Sequence, residues 1–229
     1  NEMTLQRVLC ATPFAWDRIP SEHLDALCSR ATIVESEARD ALFRRGDNNR
    51  GLFVVKYGEY KISLISPEGR EQIVFIMREG RLITEGFVNA RGLCKASCFS
   101  TGKASAWHLS AAVLDEASQR CAAVNWALLE TLAFRQSRML DLIYNLSLRS
   151  VDQRLAAFLL FLSAQAGPEK DVDGVILERD LDVQTVAALL GTTREEITRA
   201  QKKLREMGLV EISRSQIVIL NRSGLEEII

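Results

Sequence analysis

Apolar and polar positions divide the chain into three stretches of different period. From residue 20 to about 110, short apolar or alternating runs recur: Phe53-Val54-Val55, Tyr60 through Ile65, and Gln72 through Ile76. Between them lie Gly46-Asp47-Asn48-Asn49, Gly58 and Pro67-Glu68-Gly69, residue types that supply the backbone angles of tight turns. Short strands at regular spacing predict a β-barrel or sandwich. From 112 to about 147 the period lengthens. No proline or glycine interrupts the chain between Lys103 and Ala166, and apolar residues recur at Val124, Leu128, Leu132, Met139, Leu142, Ile143 and Leu146. Gaps of three and four mark one helix face. A helix this long exceeds what one small β-domain can cover. Part of its stripe, with Arg135 alongside, is therefore expected to meet the same helix of a second copy, making a homodimer.

Residues 150 to 229 form the third stretch. A helix is predicted over Val151–Gln165, stopped by Gly167-Pro168, and a short strand over Gly174-Val175-Ile176-Leu177. Asp182 is placed to cap a following helix whose buried face is Val186, Leu189 and Leu190. Gly191 permits the left-handed turn that ends it. Thr193 can cap the next helix, in which Ile197, Ala200 and Leu204 recur at spacings of three and four and should face inward. Two helices joined by a short glycine turn are the helix-turn-helix pattern. A hairpin follows, from Met207 through Ile212, over Ser213-Arg214-Ser215, to Gln216 through Leu220, and reads as a wing.

That register leaves Arg194, Glu195, Thr198, Arg199 and Lys202 on the outer side. Arginine can give a bidentate hydrogen-bond pair to a guanine edge, and glutamate can accept from a cytosine amino group. Arg194, Glu195 and Arg199 lie within about one turn of each other and can enter one groove, as readers of bases. Gln184, Thr193, Thr198, Lys202, Lys203 and Arg214 are the candidates for backbone phosphates, which fix position rather than sequence.

Bulk properties are consistent with this. The 229 residues are 47% hydrophobic and 26% charged, with a formal net charge of -1. A DNA-binding role must therefore rest on a local basic surface, not on total charge. Five cysteines, Cys10, Cys28, Cys94, Cys98 and Cys121, are odd in number and form no C-x-x-C pair, so a secreted disulfide framework is not expected. The first residues have no basic region followed by an apolar core, and no apolar run is long enough to span a bilayer. A cytoplasmic protein with reduced thiols is the simplest expectation. No phosphate loop, G-x-S-x-G elbow, H-E-x-x-H or dinucleotide fingerprint occurs, and there are only 2 histidines, so an enzyme is not expected.

The run from Gly191 through Arg199, followed by Lys202-Lys203-Leu204-Arg205-Glu206-Met207-Gly208-Leu209-Val210, resembles the DNA-reading segment of the catabolite activator and fumarate-nitrate regulator (CRP/FNR) family. The β-region fits too, from Leu52-Phe53-Val54-Val55 through Gly58, Gly69-Arg70-Glu71 and Gly80 to Glu85. The resemblance implies an α+β architecture. Its parts are a β-roll (a double-stranded β-helix, cupin-like jelly roll) over residues 1–111, a long dimerisation helix and hinge over 112–149, and a winged helix-turn-helix over 150–229. It implies a dimeric transcription regulator of double-stranded DNA with a TGTGA-like half-site in inverted repeat. It further implies activation through RNA polymerase, and allosteric control by a small effector held between β-roll and long helix.

The cyclic-nucleotide site of the family does not carry over cleanly. Glu85 is kept, but the phosphate-pairing arginine position is Cys94, and a thiol cannot grip a phosphate bidentately. Lys95 offers a point charge and Arg91 is near. The adenine-contacting pair of the long helix is Met139-Leu140, which has little hydrogen bonding to offer. Cyclic AMP is therefore not the expected effector, and a cyclic-nucleotide-responsive regulator is a lesser alternative. A pocket of Leu82, Phe87, Phe99, Met139 and Leu140 would suit an uncharged or aromatic ligand, or haem. His23, His108 and Cys94 are the candidate axial ligands for a gas- or redox-sensing alternative. Cys10 and Cys28 are too few and too far apart for an iron-sulfur centre, although a thiol switch stays open. A ligand sensor that does not touch DNA is the remaining alternative.

Overall fold

The computed structural model describes residues 4–48, 50–87, 92–165, 174–178, 182–213 and 216–229, of which 165 and 175–178 are described by their backbone. The predicted stop at Gly167-Pro168, the wing residues Arg214 and Ser215, and Arg91 lie outside the described residues. The chain divides into two compact units, 1–139 and 140–229.

The first unit opens with helix α1 (Leu5–Cys10), a 3-10 turn (Ala15–Arg18) and α2 (Ser21–Ser29). Eight strands follow among the described residues: β1 (Thr32–Ser36), β2 (Ala41–Phe43), β3 (Leu52–Tyr57), β4 (Glu59–Ile65), β5 (Glu71–Arg78), β6 (Leu82–Ile83), β7 (Ser97–Ser100) and β8 (Ala104–Leu109). They form two four-stranded antiparallel sheets, ordered β1-β8-β3-β6 and β2-β7-β4-β5. Phe43 of one sheet meets Phe53 of the other, with ring centres 6.1 Å apart. β3 is covered on both faces, which is why Leu52-Phe53-Val54-Val55 is a continuous apolar run rather than an alternating one. Leu52 and Val54 join the helical cluster built on α1 and α2, and Phe53 and Val55 are buried on the opposite side.

The long helix is interrupted. α3 (Ala111–Arg120) is capped by Ser110, and Cys121 takes extended backbone angles (φ -142, ψ 110) before α4 (Ala122–Leu148) begins. The uninterrupted helix expected from residue 112 is corrected here. The break turns Val113 and Leu114 of α3, and Val124, Ala127 and Leu128 of α4, into the same core. An ordinary cysteine makes the break, so no proline or glycine advertises it.

Much of the expected dimer stripe also needs correction. Val124 is fully buried and Leu128 nearly so, inside the chain's own β-unit. Neither can touch a second copy. The Trp16 indole NH donates to Thr131 Oγ1 (3.2 Å), and the Ala15 amide donates to Glu130 Oε2 (2.8 Å), so the N-terminal segment is tied to α4. Apolar side chains left exposed on α4 include Leu129, Leu132, Leu140 and Ile143. Met139, Leu142 and Leu146 are half-buried.

The second unit contains α5 (Val151–Gln165), β9 (Val175–Glu178), α6 (Val183–Leu189), α7 (Arg194–Glu206), β10 (Val210–Ile212), β11 (Gln216–Ile219) and α8 (Arg222–Ile228). The strands form one antiparallel sheet, β10-β11-β9. The core joins Leu155, Ala156 and Leu159 of α5 to Ile197, Ala200 and Leu204 of α7, and Leu225 of α8 closes it. Among the described residues no helix is long and apolar enough to cross a membrane.

One glycine bears directly on the fold. Gly51 has φ +85, and a Cβ there would meet the Leu109 carbonyl oxygen at 2.2 Å. Left-handed backbone and a backbone clash act together, so Gly51→Ala is expected to destabilise the first unit by roughly 2–4 kcal/mol. Urea unfolding followed by the buried Trp16 fluorescence should show the loss.

Candidate nucleic-acid interface and effector pocket

The helix-turn-helix is set by local hydrogen bonds. Asp182 caps α6, its carboxylate accepting from the Thr185 amide at 2.8 Å. α6 buries Val186, Ala187 and Ala188, while Leu189 and Leu190 are half-buried. Gly191 takes the left-handed conformation (φ +62) that the turn requires. Thr193 then caps α7 in a reciprocal capping box: its hydroxyl accepts from the Glu196 amide (3.2 Å), and Glu196 Oε2 accepts from the Thr193 amide (3.1 Å). The buried Thr192 hydroxyl also donates to Glu196. These bonds, that of Thr192 first, hold the Glu196 carboxyl below the usual range. Glu196 is thus committed to the helix start and is not a base reader.

Burial of Ile197, Ala200 and Leu204 fixes the rotation of α7. Arg194, Glu195 and Arg199 are all exposed, as are Gln184, Thr193, Thr198, Lys202 and Lys203. The three base-reading candidates therefore share one outer face at the N-terminal half of the helix, the part that meets base edges in this motif. The phosphate candidates differ among themselves. The Thr198 hydroxyl donates to the Arg194 carbonyl (2.9 Å). Lys202 lies 3.6 Å from Glu206. Lys203 is paired with Asp152 of α5, so it must leave that partner to reach a phosphate. At the wing, the Gln216 amide donates to Ser213 Oγ (3.0 Å), and that hydroxyl donates to the Gln216 carbonyl (3.0 Å).

Sequence reasoning missed one supporting residue. Arg154 of α5 donates through Nη1 to the Leu190 carbonyl and, at 3.4 Å, to the Gly191 carbonyl. Its charge meets the C-terminal end of α6, where unpaired carbonyls and the helix dipole favour a cation. Only the apolar α5 pattern was visible in the sequence, and an arginine on its flank gave no signal of this use.

In the first unit, Glu85 and Arg135 form the polar centre. Their side chains are 10% and 14% exposed, with Arg135 Nε 3.5 Å from Glu85 Oε1. Arg135 also donates to the Leu82 carbonyl (2.7 Å), and its guanidinium lies 4.5 Å from the centre of the Phe75 ring. The expected place of Arg135 on a dimer seam is corrected: it reaches into its own β-unit. Burial pushes the Glu85 carboxyl up, and Arg135 pulls it part of the way back.

Leu82 is buried, and Phe87 packs against the same helical cluster. Phe99 does not join them. Side chains alternate along β7, so buried Cys98 takes the inner face while Phe99 turns out beneath the Arg44 guanidinium, 5.2 Å from its ring centre. The buried Cys94 thiol is 3.6 Å from the Asn48 carbonyl oxygen and 3.9 Å from that of Gly86, and Lys95 is exposed. Met139 is half-buried and Leu140 is 61% exposed. His108 stacks on Phe53 (4.4 Å between ring centres) and its Nε2 contacts the Arg50 carbonyl. His23 lies on α2, 3.8 Å from Glu22. Among the described residues no cluster of three or more histidine, cysteine or acidic side chains could hold a metal ion.

Among the described residues, an eight-stranded roll, a long helix and a winged helix-turn-helix with an exposed arginine-glutamate-arginine face make the architecture of a DNA-binding regulator. Residues 33–121 match the cyclic nucleotide-binding domain family, and residues 153–228 match the Crp-like helix-turn-helix domain. The chain is 25% identical to the cAMP-activated global transcriptional regulator Vfr of Pseudomonas aeruginosa, over 86% of this chain and 94% of that protein. It is 24% identical to the fumarate and nitrate reduction regulatory protein of Vibrio cholerae, over 94% of this chain and 85% of that one. A CooA variant from Carboxydothermus hydrogenoformans has a similar fold, with TM-score 0.74 and 18% identity over 99% of this chain and 96% of that one. The chain belongs to the CRP/FNR family of DNA-binding transcription regulators.

Two outcomes follow from this geometry. Replacing Arg154 by Gln leaves carbonyls at the turn without a charged donor, and should cost the second unit about 1–3 kcal/mol in chemical denaturation. For Glu85 the sign is set by the raised folded value. Its stabilising contribution is present below the unfolded carboxylate pKa and is lost as pH rises through the folded one. Arg135→Gln removes the opposing charge, so Glu85 should titrate higher still and that loss should move to higher pH. Carboxyl-carbon NMR titration of wild type and variant checks the direction.

Proposed function

We propose that the protein is a homodimeric, sequence-specific regulator that reads an inverted repeat through Arg194, Glu195 and Arg199, under control of a small effector other than cyclic AMP. The observation that carries the reading role is the rotation of α7: three buried apolar residues leave those three side chains together in solvent. The support for a dimer is the exposed α4 face. Leu129, Ala133, Gln136, Leu140 and Ile143 recur at four-three-four-three spacing and all are exposed, the repeat of a two-stranded helical seam. A two-fold dimer matches an inverted repeat with half-sites of the TGTGA kind about one DNA turn apart. The family resemblance supports activation through contact with RNA polymerase.

The chemistry of the pocket argues against a cyclic nucleotide. Glu85 is already paired with Arg135. At the position where the family resemblance puts a phosphate-pairing arginine, Cys94 offers only a thiol near backbone carbonyls. An uncharged effector fits such a site better than a phosphodiester, which needs charge-assisted donors. A haem would need His108 to give up its Phe53 and Arg50 contacts, so haem is the weaker reading.

The test is fluorescence anisotropy of a duplex carrying an inverted TGTGA repeat against a scrambled duplex, at moderate fixed salt. Wild type should prefer the repeat. Arg199→Ala should lose about 1–3 kcal/mol on the repeat and little on the scrambled duplex. Equal wild-type affinity for both duplexes would sink the reading.

A further inference from the structure

A separate cavity of the first unit lies between α2, α3 and the first turn of α4, with neither Glu85 nor Arg135 in its lining. It measures about 70 Å³ and has an apolar floor that includes Leu27, Val113 and Val124. Its rim is charged. Glu116 accepts from Arg30, the C-cap of α2, and lies 2.6 Å from Arg120, four residues further along α3. Among the residues that line the cavity, Arg30, Arg120 and Glu116 sum to a net charge of +1, and Glu22, 3.8 Å from His23, lies outside that lining. Both arginines stay open to solvent, with side chains 47% and 70% exposed, and each retains donors beyond those used by Glu116. His23 lines the same wall.

Size and charge select the ligand class. At ~10–15 Å³ for each water-sized group, the cavity takes about five to seven such groups. It is too small to enclose a nucleotide or a haem and fits a molecule of about six non-hydrogen atoms. An apolar floor favours a short hydrocarbon tail, and the uncompensated guanidinium charge favours a single negative head. We propose that this cavity binds a small aliphatic monocarboxylate, its tail on the floor and its carboxylate against Arg30 and Arg120. The site is independent of the effector pocket and of the DNA-reading role. It draws on α2, α3 and α4 together, so occupancy braces the start of the long helix.

Butyrate is the probe and butyramide its uncharged counterpart, titrated into the full chain and followed by heteronuclear NMR. Butyrate should saturate one site per chain at about millimolar concentration, as its size allows, with shifts clustered on α2 and α3. Butyramide should bind about tenfold more weakly. Ala117→Leu fills the cavity and should abolish butyrate binding while leaving the unfolding midpoint unchanged or raised. Arg120→Gln, at a side chain 70% exposed, should weaken butyrate but not butyramide. Equal binding of the two probes, unchanged butyrate binding in Ala117→Leu, or no saturable butyrate shift up to about ten times that concentration would overturn the proposal.

Discussion

The DNA-reading face depends on one constraint, the burial of Ile197, Ala200 and Leu204 against α5 and the sheet. A helix with three buried residues at three-four spacing has a single rotational setting. Everything outside follows from it: the joint exposure of Arg194, Glu195 and Arg199, and the release of Glu196 toward the helix start. Removal of one buried leucine in such a core costs ~2–5 kcal/mol. That is far more than any surface ion pair on the same helix could offset. The apolar register, rather than the charges, therefore decides which side chains face DNA.

The caps act on top of that register. Asp182, Gly191, Thr193 and Glu196 each satisfy a backbone group or conformation at a helix end, and Arg154 adds a donor from a third helix. A turn held from within and from behind keeps α6 and α7 at a fixed angle. Base recognition needs such preorganisation, because bidentate hydrogen bonds tolerate little misplacement.

Legibility followed the range of the interactions. Strands, turns and the helix-turn-helix rest on neighbours a few residues apart, and period and capping chemistry exposed them. The Asp182 and Thr193 caps and the inward set of α7 were all readable. What was hidden depends on distant partners. Whether an apolar stripe on α4 faces its own domain or another copy cannot be told from spacing alone. Val124 and Leu128 turned out to serve the chain's own core, and the N-terminal helices that cover them, with Trp16 bonded to Thr131, carry no long-range mark in the sequence. The same holds for Arg135, which sits at a seam-like spacing but is drawn inward by buried Glu85. The placing of Phe99 in the pocket failed for a simpler reason: strand alternation puts Cys98, one residue earlier, on the inner face.

The central claim is that a symmetric pair of α7 helices reads defined bases. Selection of bound duplexes from a random-sequence library tests it without assuming a target. The account predicts enrichment of an inverted repeat whose half-sites contain G·C pairs and whose centres lie about one helical turn apart. Enrichment of a single unrepeated motif, or recovery of sequences no different from the starting pool, would contradict it.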